Sequence, residues 1–448
     1  MDNASATPVD KGVLKAMEEV NLEHYTNPSG LHKQSVEARR ILENARKDIA
    51  KELFAHADEI IFTASGSESD ALAIEGTINF IANKYSEVGL PNIPHIVTTN
   101  IEHSAVIETC KMLERTGRAE VTYVGVEANG IVDQKNIKEA IKENTVLVSV
   151  MYANNEIGTI QPIKEIAKVV RGARKIGKQS RPTPNPSPNF SNLERGKMQS
   201  IASRISPLAI HEVNGEGAGG EAAKAGNSFF PFFHVDACQA MNYLETGNMD
   251  ALGVDLLSFN GAKIYGPKGM GVLYKRRSVE LVPVINGGGQ EFHLRAGTEN
   301  VAGAVGMALA LAKTNKIKEK ESERLRKLQQ EFFTGIKDVE NKTGYKIEIN
   351  GDLENRIPNN VNISVAGISN ELLVIELDAN GVAVSNKSAC KTDEEESSHV
   401  INAIRKVSGS KFTDESIRFS IGRDTKAGDV KKVLQILTKI LEKYNKWK

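Results

Sequence analysis

The stretch Asn260-Gly261-Ala262-Lys263, followed by Ile264-Tyr265-Gly266-Pro267-Lys268-Gly269, decides the fold. An apolar run, Val254–Phe259, comes before it and predicts a buried strand that ends close to the lysine. The loop after that strand is stiffened by glycines and one proline, so Lys263 is well placed to hold a carbonyl group as a Schiff base. For any lysine taken alone, however, a surface position beside a turn is the better explanation.

A second strand end favours the Schiff-base interpretation. The segment His234-Val235-Asp236-Ala237 reads as a strand that ends in an acid, about 27 residues before Lys263. An acid that can sit on a pyridinium nitrogen, together with a Schiff-base lysine, is what pyridoxal phosphate (PLP) requires of its protein. Asp236 and Lys263 therefore predict a PLP site.

Composition excludes several classes of protein. The chain has 448 residues, enough for a large core and two domains. Lys+Arg and Asp+Glu both number 57, so the formal net charge is zero and no overall field favours nucleic acid or a membrane surface. We expect no signal peptide, because Met1–Ser5 shows no basic region followed by an apolar stretch, and no membrane span, because no apolar run approaches ~18 residues. The three cysteines make neither a metal pattern nor a disulfide framework, which predicts a cytoplasmic protein; they are Cys110, Cys238 and Cys390.

Apolar strand-like runs alternate with helical stretches through the first two-thirds of the chain. This alternation predicts an α/β fold around a mainly parallel sheet flanked by helices. A long helical pattern, Val301–Ile336, then leads to a smaller α+β C-terminal domain. We expect the large, PLP-binding domain to span 10–318, and the small domain to combine 1–9 with 319–448. The predicted strands are Glu59–Ala64, His95–Asn100, Val121–Val126, Thr145–Asn154, Phe232–Ala237, Val254–Asn260, Gly269–Lys275, one near Ile347, Val361–Val365 and Ser416–Ser420; predicted helices include Ser69–Tyr85 and Ile163–Ile176.

One segment, residues 177–231, interrupts this pattern. Prolines stand at alternate positions from Pro182 to Pro188, and a glycine-rich run, Gly215–Gly220, follows. Such a composition opposes both helix and sheet. We expect an insertion that projects from the large domain, partly disordered, with a short helix near Leu193–Ile205. It either contacts a partner or is tolerated decoration, and decoration is the simpler explanation.

Polar groups follow the predicted strand ends. In Ala64–Asp70, Gly66 lets the backbone approach closely, and Ser67 with helical N–H groups can bind a phosphate, although a plain serine N-cap explains the motif equally well. His103 either stacks on a cofactor ring and moves protons or is a hydrogen-bonded structural histidine. Two adjacent amides, Asn154 and Asn155, suit the phenolic oxygen of the cofactor, and so does Gln239.

Three later segments add candidate residues. A glycine-rich loop reaches Arg295–Asn300, where Thr298 is either a phosphate contact made across a dimer interface or a helix cap. Cys390 lies in a small polar loop and is predicted to be exposed and mobile, whereas Cys110 and Cys238 are predicted to be inert, packed thiols. Arg418 stands in a strand between apolar neighbours, so we expect it to hold an anion, for which a substrate carboxylate is suited.

Taken together, these residues resemble a cysteine desulfurase, a PLP enzyme of the class V aminotransferase family with fold type I. The resemblance extends over the whole chain except for the insertion at 177–231. It is specific in five places, which are the Ser65–Asp70 turn, Glu102-His103, Asn154–Gly158, His234–Ala237 with Lys263, and Arg295–Asn300.

The resemblance implies a role for each site residue. Lys263 forms the Schiff base, Asp236 meets the pyridinium nitrogen, and His103 stacks on the ring. The phenolic oxygen is held by Asn155 and Gln239. Gly66, Ser67 and Asn260 hold the phosphate, together with Thr298 from a second subunit. Arg418 binds the substrate carboxylate with the help of Asn27. Cys390 takes the substrate sulfur.

The implied reaction converts L-cysteine to L-alanine and leaves a persulfide on Cys390 for a sulfur-acceptor protein. The long loop around Cys390 resembles the subgroup that serves iron–sulfur cluster assembly and tRNA thiolation, and a homodimer is implied as well. Two alternatives are a selenocysteine lyase and a non-catalytic PLP-binding scaffold for sulfur-transfer partners. The chain departs from the family pattern at Ala262, where histidine is usual, at Asn260, where serine is usual, and in a short N-terminal extension.

Overall fold

The computed structural model describes residues 1–84, 93–179, 230–386, 398–410, 412 and 415–446. Most of the predicted insertion, the short helix expected near Leu193–Ile205, and Cys390 with its loop lie outside the described residues. Among the described helices, none is long and apolar enough to cross a membrane.

A seven-stranded sheet forms the first part of the fold. Its strands are β1 (Ile60–Thr63), β2 (His95–Thr99), β3 (Glu120–Val124), β4 (Thr145–Ser149), β5 (Phe232–Asp236), β6 (Leu256–Asn260) and β7 (Gly271–Lys275). The strand order is β1-β7-β6-β5-β4-β2-β3. Pairs from β6 through to β3 are parallel, whereas β7 runs antiparallel to both β1 and β6. The predicted mainly parallel sheet is confirmed.

Helices cover both faces of this sheet. They are α1 (Lys11–Glu23), α2 (Lys33–Glu52), α3 (Gly66–Lys84), α4 (Ser104–Arg115), α5 (Gln134–Ala140), α6 (Ile163–Gln179) and α7 (Met249–Leu252). Successive residues of a strand point to opposite faces. Ile96 therefore packs in the core with α3 and α4, while its neighbour Val97 packs in the core with α1, α2 and α6. Burial on both faces explains why these strands read as continuous apolar runs.

A smaller, antiparallel sheet forms the second part of the fold. It contains β8 (Ile347–Ile349), β9 (Asn360–Val365) and β10 (Ile417–Ser420), in the order β10-β9-β8. The helices here are α8 (Val301–Thr343), α9 (Asn370–Ala379), α10 (His399–Ser408) and α11 (Ala427–Asn445). Helix α8 joins both parts, because its first turns pack in the core of the large sheet and Leu325–Val339 pack against the small one. The predicted domain boundary at 318 falls inside this helix.

Four predicted bounds differ from the structure by three residues or more, and one of them is the end of α6, at Gln179 instead of Ile176. Strand β4 ends at Ser149 instead of Asn154, because β2 has already ended and the Met151 N–H donates to the Glu102 carboxylate instead. Helix α3 begins three residues before the predicted Ser69. Helix α8 continues past Ile336 until Gly344, whose φ of 74° ends it in a left-handed cap.

A buried ion pair connects α2 to the glycine-rich loop before α8. Arg46 Nη1 and Nη2 donate to the two carboxylate oxygens of Glu291 at 2.7 and 2.8 Å. Glu291 also accepts from the Phe62 N–H at 2.7 Å. The side chains of Arg46 and Glu291 are 3% and 2% exposed. Three consecutive residues of the Gln290–His293 turn, starting at Glu291, have φ values of 46°, 57° and 64°. Because side chains other than glycine disfavour this conformation, the ion pair has to hold the turn in place.

We expect Glu291→Gln to lower the free energy of unfolding by about 3 kcal/mol, because it leaves the buried Arg46 cation without a counter-charge. Urea denaturation measures the change. The control is Asp58→Asn, which breaks the half-exposed pair of Asp58 with Arg277 and should change stability by no more than about 0.5 kcal/mol. Equal effects of the two substitutions would contradict the structural importance of the buried pair.

Candidate active site

A cleft of about 590 Å³, open to solvent, lies where β4, β5 and β6 end and α3 begins. Ligands bind at this edge in open α/β sheets, because the carboxyl ends of parallel strands and the amino ends of helices meet there. The lining residues are Ala4, Ser5, Gly66, Ser67, Asp70, His103, Met151, Ala153, Asn155, Asp236, Cys238, Gln239, Asn260, Lys263 and Arg418.

Most of the predicted site residues line this cleft, although they come from distant parts of the chain. Two described residues do not. Thr298 is exposed, and Asn27 is exposed with its side-chain oxygen accepting from the Ser29 N–H at 2.8 Å. The roles of these two residues, and that of Cys390 outside the described residues, stay predictions.

Lys263 and Asp236 face the cleft from two neighbouring strand ends. Lys263 closes a short 3₁₀ turn, Gly261–Lys263, directly after β6, and its Nζ donates to the main-chain oxygen of Ser5. Asp236 is the last residue of β5 and is 5% exposed. Its Oδ1 accepts from the Cys238 N–H at 2.9 Å, which fixes the carboxylate. An amine and an acid are thus held at the same edge of the sheet.

Three buried titratable side chains surround Asp236. The His234 ring contacts the hydroxyls of Ser149 and Ser258 at 2.8 and 2.9 Å, and burial lowers the pKa of His234 to about 4. Burial raises the pKa of Glu102 to about 8. Burial, followed by the charge of Asp236, raises the pKa of Asp70 well above its usual range. At neutral pH, His234 and Glu102 are therefore mainly uncharged, and burial favours the uncharged form of Asp70 as well.

The start of α3 forms a cradle for an anion. Ser65, and not Ser67, caps the helix, since the Ser65 hydroxyl accepts from the Glu68 N–H at 3.1 Å. A serine N-cap is therefore present, as one interpretation of the motif expects, and Ser67 is left exposed at the cleft. A Cβ atom on Gly66 would lie 2.6 Å from Cys238 Sγ and 2.8 Å from Asn260 Nδ2. Only glycine fits here, and the helical N–H groups are left open to a phosphate.

Asn260 adds a second polar group to this cradle. Its Nδ2 donates to Cys238 Sγ at 3.4 Å, and its buried Oδ1 has no hydrogen-bond partner among the described residues. The two ends of an amide are exchangeable by rotation. Asn260 is therefore able to donate to a bound anion, as the sequence predicts.

Arg418 lies in β10 and is 3% exposed. Arg418 binds an anion, as predicted, but this anion is the Asp2 carboxylate of the chain itself. Nη2 donates to Asp2 Oδ1 at 2.9 Å and to the Ser5 hydroxyl at 2.8 Å, while Nη1 donates to the main-chain oxygen of Asn155 at 2.8 Å.

The two adjacent amides have different roles. Asn154 is structural, because its Oδ1 accepts from the Glu156 and Ile157 N–H groups and its Nδ2 donates to Ile101. Only Asn155 lines the cleft. His103 lines the cleft, and its Nδ1 accepts from the Ala105 N–H at 3.1 Å, which caps α4. The structural interpretation of this histidine is confirmed, and its stacking on a cofactor ring stays a prediction.

Sequence reasoning missed four residues of the site, which are Asp2, Ser5, Asp70 and Cys238. Cys238 lines the cleft and is partly buried, so it is less completely packed than predicted. Burial and the neighbouring Asp236 raise the pKa of its thiol well above the usual range, and an inert thiol remains the right expectation. The signal for Cys238 was its position two residues after Asp236. Cys110 is fully buried in α4, as predicted.

Comparison with known proteins identifies the relatives of this chain. The family described as aminotransferase class-V matches residues 1–176 and 221–433. The cysteine desulfurase IscS of Dictyoglomus turgidum is 37% identical over 443 residues, which cover 99% of this chain and 94% of the relative. The putative cysteine desulfurase IscS 1 of Bacillus subtilis is 36% identical, covering 96% and 95%.

Two solved structures resemble this chain along nearly its whole length. A NifS-like protein superposes with a TM-score of 0.76 at 29% identity, covering 98% of both chains. A structure described as SspA in complex with cysteine has a TM-score of 0.67 at 30% identity, covering 94% of this chain and 97% of that one.

We expect Gly66→Ala to impair both stability and anion binding, because the new Cβ collides with Cys238 and Asn260. The cost of such overpacking is about 1–3 kcal/mol. Thermal denaturation and a PLP titration measure the two effects. Gly125→Ala is the control, since no atom lies within 4 Å of the Cβ it would add. Normal PLP affinity in Gly66→Ala would rule out the proposed cradle.

We expect Glu102 to make stability depend on pH. Folding raises the pKa of Glu102 from 4.5 to about 8. The contribution of Glu102 to the free energy of unfolding is therefore complete below pH 4.5 and is lost as the pH rises through 8. Glu102→Gln cannot titrate. The Tm of the natural protein minus that of the variant should therefore fall between pH 4.5 and 8. Glu120→Gln, at an exposed position of β3, controls for loss of a carboxyl group. A constant difference for Glu102→Gln would contradict this assignment.

Proposed function

The chain belongs to the class V aminotransferase family and is an enzyme of its cysteine desulfurase branch; we propose that it uses PLP to convert L-cysteine to L-alanine and keeps the sulfur as a persulfide on Cys390. One observation carries the proposal. Lys263, Asp236 and Arg418 line a single cleft that also contains the Gly66 cradle. An amine, an acid for a ring nitrogen, a phosphate site and a carboxylate site are what PLP and an amino acid require.

The residues of the cleft fit PLP. Lys263 would hold it covalently, Asp236 would meet the ring nitrogen, and the start of α3 at Gly66 and Ser67 would bind the phosphate. Asn155 and Gln239 would hold the phenolic oxygen, His103 would stack on the ring, and Asn260 would add a donor to the phosphate. When bound, PLP supplies a ring that accepts electrons from the Cα of an amino acid.

The chain supplies the remaining steps through its own side chains. Arg418 binds the substrate carboxylate. The Lys263 amine, once free, removes the proton from the substrate Cα. Burial favours the uncharged forms of Glu102 and Asp70, which limits the repulsion between these groups and an ionised Asp236 that would pair with a protonated ring nitrogen.

Sulfur transfer is assigned to Cys390. Its thiolate attacks the sulfur of L-cysteine, and a sulfur–sulfur bond forms as the carbon–sulfur bond breaks. The electron pair of the broken bond goes to the substrate carbon, which takes up a proton, and alanine leaves. The described part of the chain supports this position for Cys390. The backbone of Ser385 pairs with Arg418 through two hydrogen bonds of 3.2 and 2.7 Å, so the chain enters the Cys390 loop directly beside the carboxylate site.

The persulfide then passes to an acceptor protein of iron–sulfur cluster assembly or tRNA thiolation. The IscS names of several relatives favour cluster assembly. No observation favours a selenocysteine lyase or a non-catalytic scaffold over this function.

A second copy of the chain completes the phosphate site. Thr298 is exposed on a loop that Arg295 ties to Glu68 at 2.9 Å, next to Ser67. Three large apolar side chains are also exposed to water, with Tyr25 at 75%, Leu31 at 94% and Phe292 at 48%. Burial of such groups is the usual driving force of a dimer interface. Light scattering that finds only monomers of the PLP-loaded protein would contradict this arrangement.

We expect the purified protein with PLP and L-cysteine to produce alanine and, with a reductant, sulfide. Lys263→Ala should reduce both products at least ~100-fold, since the amine that moves the Cα proton is gone. Lys268→Ala, at an exposed position in the same loop, is the control and should keep activity.

Cys390→Ser should still bind L-cysteine, seen as a change in the PLP absorption spectrum, and yet release neither alanine nor sulfide at a useful rate. Mass spectrometry of the natural protein should find the extra sulfur on Cys390 alone. Normal turnover by Cys390→Ser, or a persulfide on Cys110 or Cys238, would overturn the assignment.

A further inference from the structure

The Nη2 nitrogen of Arg418 is fully used by the chain itself. Nη2 carries two N–H groups, and it donates to Asp2 Oδ1 at 2.9 Å and to the Ser5 hydroxyl at 2.8 Å. Nη1 donates to the main-chain oxygen of Asn155. Nε is buried and has no hydrogen-bond partner within the part of the chain that the structure describes. Both N–H groups of Arg418 Nη2 are therefore already in hydrogen bonds within the chain before a substrate binds.

Because of the shape of a guanidinium, the occupied N–H groups of Nη2 limit how a substrate carboxylate binds. Two parallel hydrogen bonds to a carboxylate come either from Nε with Nη2 or from Nη1 with Nη2. Both arrangements need an N–H group of Nη2. A substrate carboxylate therefore makes two hydrogen bonds to Arg418 only after Asp2 or Ser5 has left.

Asp2 is the group that is able to leave. Its side chain is 28% exposed, so a released carboxylate returns to water. A substrate carboxylate takes its place with the same charge, and the buried guanidinium never loses its counter-charge, which would be costly. Release of Asp2 breaks one further hydrogen bond, because the Ser5 hydroxyl donates to Asp2 Oδ1 at 2.9 Å. The backbone on both sides of Asp2 is hydrogen-bonded to Ser420, so the exchange moves only the side chain of Asp2. Ser5 is fixed in the site by its own backbone. Its main-chain oxygen accepts from Lys263, and the preceding Ala4 is fixed by its N–H to Ser420 Oγ at 2.9 Å and by its oxygen to Gln239 at 3.0 Å.

We propose that Asp2 is an internal competitor for the substrate carboxylate: it pairs with Arg418 in the free site and is exchanged for the α-carboxylate of the amino acid. The inference rests on the proposed function only in taking an amino acid as the ligand. Ligands without a carboxylate have no means of displacing Asp2, so the exchange adds selectivity. It also sets the affinity for amino acids below what Arg418 alone would give.

Asp2→Asn in the PLP-loaded enzyme tests the exchange. A neutral carboxamide competes less well for the guanidinium, so the Kd of L-alanine should fall about fivefold, in line with the loss of a partly exposed ion pair. The fall in KM for L-cysteine should exceed any change in kcat. Thermal shift provides a readout that needs no turnover. Without a ligand, Asp2→Asn should melt below the natural protein, and L-alanine should raise its Tm by more.

Two controls isolate the carboxylate. Ethylamine, which is L-alanine without its carboxylate, should bind both proteins equally. Asp58→Asn removes an ion pair with Arg277 away from the cleft and should leave the Kd of L-alanine unchanged. Asp2→Ala is a second variant, and it should change the Kd in the same direction as Asp2→Asn.

The outcomes separate this inference from the proposed function. A natural enzyme that neither binds L-alanine nor makes it from L-cysteine would overturn both. If the natural enzyme binds L-alanine and both Asp2 variants bind it no more tightly, the exchange alone would be overturned. Weaker binding by both variants than by the natural enzyme would make Asp2 a positioning residue for Arg418.

Discussion

The parallel pairing of β5 with β6 is the constraint on which the site depends. In this register, Asp236 lies opposite Ser258, and β6 ends two residues later at Asn260. Parallel strands end at the same edge, so the acid and the turn that carries Lys263 meet without a long loop to place them. A slip of one residue would move Asp236 to the opposite face of the sheet and separate the pair. The sheet core thus fixes the chemistry directly.

Several acidic side chains are buried close together at this edge, and protonation and hydroxyl groups limit the charge there. Asp70, Glu102 and Asp236 are all buried, and three ionised carboxylates at such close quarters would repel one another. Burial favours the protonated forms of Asp70 and Glu102, and two serine hydroxyls contact the His234 ring. Fewer charges therefore face Asp236, an arrangement that a protein interior tolerates better than three ionised carboxylates.

The sequence predicted best the residues that follow directly from strand ends. Lys263, Asp236 and Asn155 each come after an apolar run, and the parallel sheet then brings them together. Local patterns could not separate Asn154 from Asn155, because both amides have the same chemistry and only the folded turn shows which one it uses. They also could not reveal the partners of Arg418, since Asp2 and Ser5 lie more than 400 residues away in the chain.

The segment at Ala4 to Thr7 links the two ends of the site. Ser5 contacts Arg418 with its hydroxyl and Lys263 with its main-chain oxygen. Thr7 donates to the oxygen of Ala262 through both its N–H and its hydroxyl, which anchors the turn that carries Lys263. Ser5 therefore contacts both side chains, although Arg418 lies in the small sheet and Lys263 lies in the turn after β6. The position of Ser5 thus fixes the Arg418 guanidinium and the Lys263 amine relative to each other.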